Sequence, residues 1–548
     1  MEVIKDNFPL ILPKFEKQLQ ECSIISLDLE LTGLWENELT KTFKFDDFEL
    51  RYKKLKKIAE KFQIIQVGIC LFQEIGVPEL DLPSKPHSNS EKSLSEQKFG
   101  FNPENTQLDT QANKSENSAN DSAWYHDYSL ELENSYAKHN GDSYYEARPY
   151  NFFVYPSLKS GLYKLEKVFS LNNSTIDFLA ENGFDFNKWI YQGISYINLS
   201  EINHLEKDKM DMATQSITIN VSRDSVDFYT SVKRKLDSLK LDDFGKSITI
   251  STKNNYQMRI VHQEARLIPT LCSEGNLRGV TVTKVTSENK NILINDKIKY
   301  ISQKTEASKG FSKIIQLLLE SKKPIIAHNC FADFVFIYSN FYGQLPNTLA
   351  EFKIKLHELF PIIYDTKFFV ETKNALEKKT SSSVISCVNE SITDINHNLP
   401  VIKLNSRFNN YSTEKLHEAG YDAFISGRVM LKLNPQITKQ PLNKFANKLY
   451  MYKSKIPFVD LTGPDIENTK SAAIFLESTE GDIDYSELEK FLKDFFQNSE
   501  MFIFRISRSS CLIHSEISDI DEVYSVISTI NSNTCHNWVS KPYDETIL

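Results

Sequence analysis

The chain has 548 residues, 64 Lys+Arg against 73 Asp+Glu, 40% hydrophobic and 12% aromatic residues. That length predicts several domains with sizeable cores, and the sparse Gly (17) and Pro (18) exclude a collagen-like or mainly low-complexity chain. The net charge of −9 argues against a simple basic-tail nucleic-acid binder, though not against a locally acidic metal site that works on nucleic acid.

In chain order, residues 11–22 have helical spacing, and SIISLDLE (23–30) reads as a strand. FELRYKKLKKIAEKF (48–62) is an amphipathic helix. IIQVGICLF (64–72) is an apolar run suited to a strand buried on both faces. Residues 84–122 hold eight Ser and six Asn with no Val or Ile. Such a stretch buries too little apolar surface to offset its ordering entropy, so a disordered insertion is expected over 84–145. A strand resumes at NFFVYP (151–156), and 176–190 read as two short helices.

From about 222 the pattern is helix, strand, helix, strand, a small α+β module placed at 222–287. Helix and strand then alternate again: GFSKIIQLLLES, PIIAHN, CFADFVFIYSNFY, LAEFKIKLHELF and IIYDTKFF. A polar loop follows over 370–397, then a long helix over 415–433. The tail over 470–530 reads strand, helix, strand, strand, helix, most of a ferredoxin-like βαββαβ unit. The seven cysteines are scattered without a CxxC pair, as in a reducing compartment. No window has the roughly 18 apolar residues of a membrane span, and no membrane partner is expected.

Three groups of residues carry candidate chemistry. Asp28 and Glu30 lie two apart on a strand, so both carboxylates project to one face while Leu27 and Leu29 point to the other. Alone, the pair also fits a solvated strand end. Asp333 follows His328 and Asn329 at the start of an apolar helix, where an Asp is commonly a cap. His417 and Asp422 are five apart, not the four of a helix-face ion pair. Taken together in this order, the five make the signature D-x-E, D, H-x4-D. Four carboxylates suit two divalent cations about 3.5–4 Å apart, and a His has the near-neutral basicity wanted of a general base.

That set resembles the DEDDh exonucleases. Tyr-type relatives carry Tyr four residues before the last Asp, where this chain has Glu418. Longer stretches resemble the poly(A)-specific ribonuclease (PARN-like) family: SLDLELTGL (26–34), ELRYKKLKK (49–57), IDFLAENGFDFNK (176–188), IAHNCFADF (326–334), LFPIIYDTK (359–367), LHEAGYDAFISG (416–427) and MYKSKIPFVDLTGPD (451–465). The resemblance implies an α/β, RNase H-like nuclease domain split into 1–205 and 290–435. A small nucleic-acid-binding module at 222–287 would lie between the halves, and an RNA-recognition-motif-like module would span 455–540.

It also implies metal ligands Asp28, Glu30, Asp333 and Asp422, with His417 as base, two Mg²⁺ per site and Mn²⁺ as a substitute. Phe178 and Lys367 fall on positions that contact the 3′ nucleotides, though Phe178 would equally serve as core. The implied activity is 3′→5′ exoribonuclease action on RNA with a free 3′ end, releasing 5′-monophosphates. The substrate would be poly(A) tails or small RNAs, the enzyme a homodimer in nucleus or cytoplasm.

Two departures from the family pattern bear on RNA binding. The family's inserted module carries R-x3-H, where this chain has Arg259 and His262, an R-x2-H. Arg505 stands where a cap-stacking tryptophan is expected, which tilts the reading slightly toward trimming of small RNAs. In the terminal module, Cys511 and Ile513 are the residues read onto the open face of the third strand, leaving it without an aromatic. An inactive RNA-binding scaffold and a DNA exonuclease are the competing readings.

Overall fold

A computed structural model describes residues 1–75, 144–156, 158–160, 163–165, 167–214, 218–377, 384–393, 400–411, 415–433, 442–464, 473–493, 501–515, 520–533 and 536–547. Most of the insertion expected over 84–145 lies outside the described residues, but Tyr144 and Tyr145 already belong to a strand.

The largest element is a mixed eight-stranded sheet. Its main path runs Glu2–Val3, Tyr144–Tyr155, Ile64–Ile75, Ile24–Leu31, Ile325–Ala327, Ile363–Asp365. Ile64–Ile75 is antiparallel to both long neighbours, whereas Ile24–Leu31, Ile325–Ala327 and Ile363–Asp365 run parallel. This is an RNase H-like order. The strand after Ile64–Ile75 begins at Tyr144, seven residues before the expected NFFVYP, because YYEARPY alternates into the sheet ahead of the apolar run.

Strand Ile24–Leu31 shows how the sheet is covered. Ile25, Leu27, Leu29 and Leu31 enter one core with Phe15 and Leu19 of helix Phe8–Glu21, Tyr52 and Ile58 of Phe48–Lys61, and Phe334 and Val335 of Phe331–Ile337. On the opposite face Ile24 joins a second core with Phe424, Ile425 and Val429 of helix Ala419–Lys432. Period-two alternation thus turns Asp28 and Glu30 toward that helix.

Two further expectations need correction. IIYDTKFF is not one strand: the chain turns helical at Thr366, and Thr366–Glu377 and Ile385–Thr393 occupy much of the presumed polar loop 370–397. Phe368, Phe369, Val388 and Ile392 are buried in the second core, an apolar stripe that the surrounding Ser, Thr and Asn obscured.

Residues 222–287 hold helices Val226–Leu241 and Asn255–Leu267 over a three-stranded antiparallel sheet. Its strand Leu271–Asn276 went unread in the sequence. The terminal sheet has strand order Met501–Arg505, Ser510–Ser515, Ala473–Ser478, Trp538–Pro542, backed by helices Tyr485–Lys493 and Ile520–Ser532.

In that sheet the expected facing is reversed. Cys511 and Ile513 point into the helix-backed core, while Leu512 and the ring of His514 lie on the other face beside Phe475. Ile474 and Leu476 set the buried phase of the neighbouring strand, and antiparallel pairing imposes it on Ser510–Ser515. Among the described residues no helix is long and apolar enough to cross a membrane.

Candidate active site

The site forms where parallel strands Ile24–Leu31 and Ile325–Ala327 reach their carboxyl ends, the usual location for a site in such a sheet. Ligand oxygens of Asp28, Glu30 and Asp422 lie within 4.8 Å of one another. Asp28 and Glu30 reach that point because they share a strand face. Asp422 reaches it because helix Ala419–Lys432 crosses that face and carries Asp422 in its first turn.

The crossing is close. Asp28 pairs with Gly68 on the neighbouring strand, and a Cβ at Gly68 would overlap the Ala419 carbonyl. Ser26 Oγ donates to the Ala423 carbonyl at 2.6 Å, and Ala419 N donates to Gln66 Oε1 at 3.3 Å. Asp333, on helix Phe331–Ile337, completes the acidic group electrostatically: its charge raises the pKa of both Asp28 and Glu30.

All four carboxyls are pushed up, first by burial. Like charges add to the shift: Asp422, Asp333 and Glu30 on Asp28, Asp422 and Asp333 on Glu30, and Asp365 on Asp333. Asp333 and Asp422 each rise to about 7. On Asp422 the N–H of His417, donating at 3.0 Å, partly offsets burial, while Glu418 adds a smaller upward push. Buried like charges without a cation beside them hold protons; a hard divalent cation would displace those protons, and an all-oxygen donor set suits one.

His417 does not ride on the helix. It precedes Ala419 in a left-handed conformation with φ of 63°, an uncommon one for a residue other than glycine. This backbone kink removes the phase conflict of the five-residue spacing, since only Asp422 needs helical geometry. The His417 ring is solvent-exposed and meets Phe178 edge-on, with centroids 4.8 Å apart. Phe178, on helix Asn173–Glu181, is 42% exposed, so one of the two readings fades: it is not a core residue but stands at the mouth of the acidic group.

Lys367 donates its backbone N–H to Asp365 at 2.9 Å. Its ammonium is 3.4 Å from Glu371 and 5.6 Å from the centre of the Tyr450 ring. In the inserted module His262 is half-buried, hydrogen-bonded to Ser273 at 2.8 Å, and held by burial at a pKa of about 4, while Arg259 is exposed. Arg505 stacks on Tyr485, 4.1 Å from the ring centre.

Beside the site lies a buried acid that the sequence pattern does not single out. Asp365, 1% exposed, accepts from the backbone N–H groups of Asn329, Cys330, Lys367, Phe368 and Tyr450 at 2.9–3.3 Å. It fixes the turn that leads into the Asp333 helix, where Asn329 also has positive φ. Its signal in the sequence is an Asp ending an apolar strand inside DTK, next to Lys367.

An RNase H-like sheet with four crowded acids at its carboxyl edge and an exposed His beside them defines a nuclease-type hydrolase. Residues 3–430 match the family described as CAF1 family ribonuclease, and the chain belongs to that family. Two similar relatives are the poly(A)-specific ribonuclease PARN of Xenopus laevis and the poly(A)-specific ribonuclease PNLDC1 of Mus musculus. The first is 26% identical over 85% of this chain and 70% of its own. The second is 23% identical over 87% of this chain and 82% of its own. Among solved structures, S. pombe Pop2p in its Mg²⁺- and Mn²⁺-bound form aligns over 82% of this chain and 98% of that one. The identity is 12% and the TM-score 0.35.

Proposed function

We propose that the chain is a divalent-metal-dependent 3′→5′ exoribonuclease that acts on RNA with a free 3′ end and releases 5′-monophosphate nucleotides. The observation that carries this reading is the convergence of Asp28, Glu30 and Asp422, with Asp333 coupled to them, in a chain of a ribonuclease family. These four would hold Mg²⁺ or Mn²⁺, two ions in all. Bound there, the cations would activate water and stabilise the departing 3′ oxygen.

The chain's own residues supply the rest. The kink at His417 puts its imidazole at the rim, open to solvent, to accept the proton of the attacking water. Phe178 offers a ring for the terminal base to stack on, and Lys367 a charge for a phosphate. Asp365 holds the Asp333 turn.

Both relatives are named poly(A)-specific, which favours an oligo(A) end over the small-RNA alternative suggested by Arg505. Subunit pairing belongs to the same reading. The test is shortening of 5′-labelled RNAs ending in oligo(A) or mixed sequence, with Mg²⁺ or with chelator. Magnesium-dependent loss from the 3′ end supports the reading, and the ratio of the two rates gives the preference. A folded protein that binds both RNAs and shortens neither would make it a scaffold.

A further inference from the structure

The terminal sheet has an aromatic face, and the chain itself covers it. Phe475, Phe504 and His514 lie there, on three adjacent strands. Phe45, from the segment between the catalytic strand and helix Phe48–Lys61, stacks on His514 with centroids 4.6 Å apart and planes at 25°. It is 4% exposed. Phe43 lies parallel to Phe45 at 5.2 Å and meets Phe504 edge-on at 5.5 Å.

The helix that follows locks this segment down. Arg51 donates to the carbonyls of Phe43, Asp46, Tyr452 and Lys453. Lys54 pairs with Asp46 at 2.8 Å and sits 4.6 Å from the Phe43 ring centre. Arg51 and Lys54 of ELRYKKLKK, which the acidic site leaves unexplained, are thereby accounted for.

The same segment is anchored at the active site. Thr32 and Trp35 accept through their carbonyls from the backbone and side-chain N–H of Asn172, at 2.9 and 3.0 Å. Asn172 in turn caps helix Asn173–Glu181, which carries Phe178 against His417. One stretch of chain, 32–47, therefore runs from the catalytic strand, past the cap of the Phe178 helix, to the terminal sheet.

We propose that the aromatic face of the terminal sheet is a docking site for this chain's own segment 43–47, and that the docking braces the wall bearing Phe178. Phe45 and His514 are then positioning residues. A base stacking on His514 would first have to extract buried Phe45 and undo the Phe43–Phe504 contact and the Arg51 bonds, recovering one stack in return. The face is spent on the chain itself, not on RNA.

The functional part of this proposal rests on the exoribonuclease reading. The experiment compares full-length wild type with Phe45→Ala, His514→Ala, the double variant and Phe502→Ala, whose ring on the same strand as Phe504 remains 45% exposed. KM and kcat are measured on oligo(A)-ended RNA, and thermal unfolding confirms that each variant folds. Phe45→Leu, which keeps burial without stacking, substitutes where Phe45→Ala does not fold. Both single variants should raise KM about tenfold with kcat within about twofold, the scale expected of a displaced binding wall. The double variant should be no worse than either single, the mark of one shared interaction, and Phe502→Ala should match wild type.

A rise in KM for His514→Ala with a fall for Phe45→Ala would make the face an RNA platform masked by Phe45, and would overturn the brace. So would a rise for Phe502→Ala, or no change in either single variant. If wild type binds RNA without shortening it, the exoribonuclease reading fails. The same comparison then runs on dissociation constants, where the same pattern supports the brace and any other overturns it.

Discussion

Among the described residues, the charged cluster around Asp46 and the one around Asp28 are both buried, and they differ in one respect. Around Asp46 the charges are of opposite sign: Lys54 is 2.8 Å away, with the two side chains 0% and 2% exposed, and Arg51 lies alongside. Around Asp28 they are all of one sign. Burial pushes Lys54 down to about 8 and raises Asp46, yet each remains beside its counter-ion. The carboxyls at Asp28, Glu30, Asp333 and Asp422 rise with no Lys or Arg among the causes. A buried pair that balances itself is part of the scaffold; a buried set that does not is what the proposed cation site calls for.

The contrast breaks most sharply on opposite substitutions. Asp28→Asn should lower the rate of RNA shortening by about 10³-fold, since metal ligation supplies several kcal/mol of transition-state stabilisation. The same variant, metal-free at neutral pH, should melt higher than wild type, because folding no longer has to force a proton onto Asp28 or bury its charge among the other acids. A lower melting point would mean that the four acids are not in conflict. Lys54→Met should do the reverse. It leaves Asp46 buried and unpaired, so denaturant unfolding should show a loss of about 3–5 kcal/mol, part of it recovered by adding Asp46→Asn.

A third prediction concerns pH. The folded, metal-free protein keeps protons on Asp333 and Asp422 up to about 7, whereas the unfolded chain releases them near 4. Folding stability contributed by these groups therefore falls as pH rises from about 4 and has been fully lost above about 7. Mg²⁺ competes with the same protons. Its stabilising effect should grow between pH 5 and 8, reaching about 2.7 kcal/mol at a hundredfold excess over Kd. Thermal midpoints with and without Mg²⁺ across that range check it, and a shift independent of pH would contradict it. The smallest effect is expected at Gly68→Ala. The added Cβ forces the start of helix Ala419–Lys432 off the strand, costing about 1–3 kcal/mol and moving Asp422 from its partners. Activity should fall more than stability, read by kcat beside the melting point.

Asp28 and Glu30 could be placed on one face from the sequence because a strand's alternation is strictly local. The helices at 48–62 and 312–321 were legible for the same kind of reason, a stripe of apolar residues at helical spacing. The five-residue step from His417 to Asp422 was harder, since it makes sense only with the left-handed kink at His417, which no periodicity announces. The helices inside 370–397 were hidden because composition averages over a window, while burial acts on single positions such as Val370 and Val388. The facing of Ser510–Ser515 was misread because a short run, SCLIHS, alternates without a clear apolar phase of its own, so its phase comes from the neighbouring strands.

By itself, then, the sequence determined the candidate set of acids and histidine and the family whose pattern they follow. These are properties of residue type and of spacing along one strand or helix. Only the tertiary structure decided that the acids meet, that Asp365 holds the turn before Asp333, and that Phe45 closes the terminal sheet. Each of those joins segments tens to hundreds of residues apart. Such contacts depend on where Gly68 lets a helix approach and which face a sheet turns outward, and both are set by packing across the chain rather than along it.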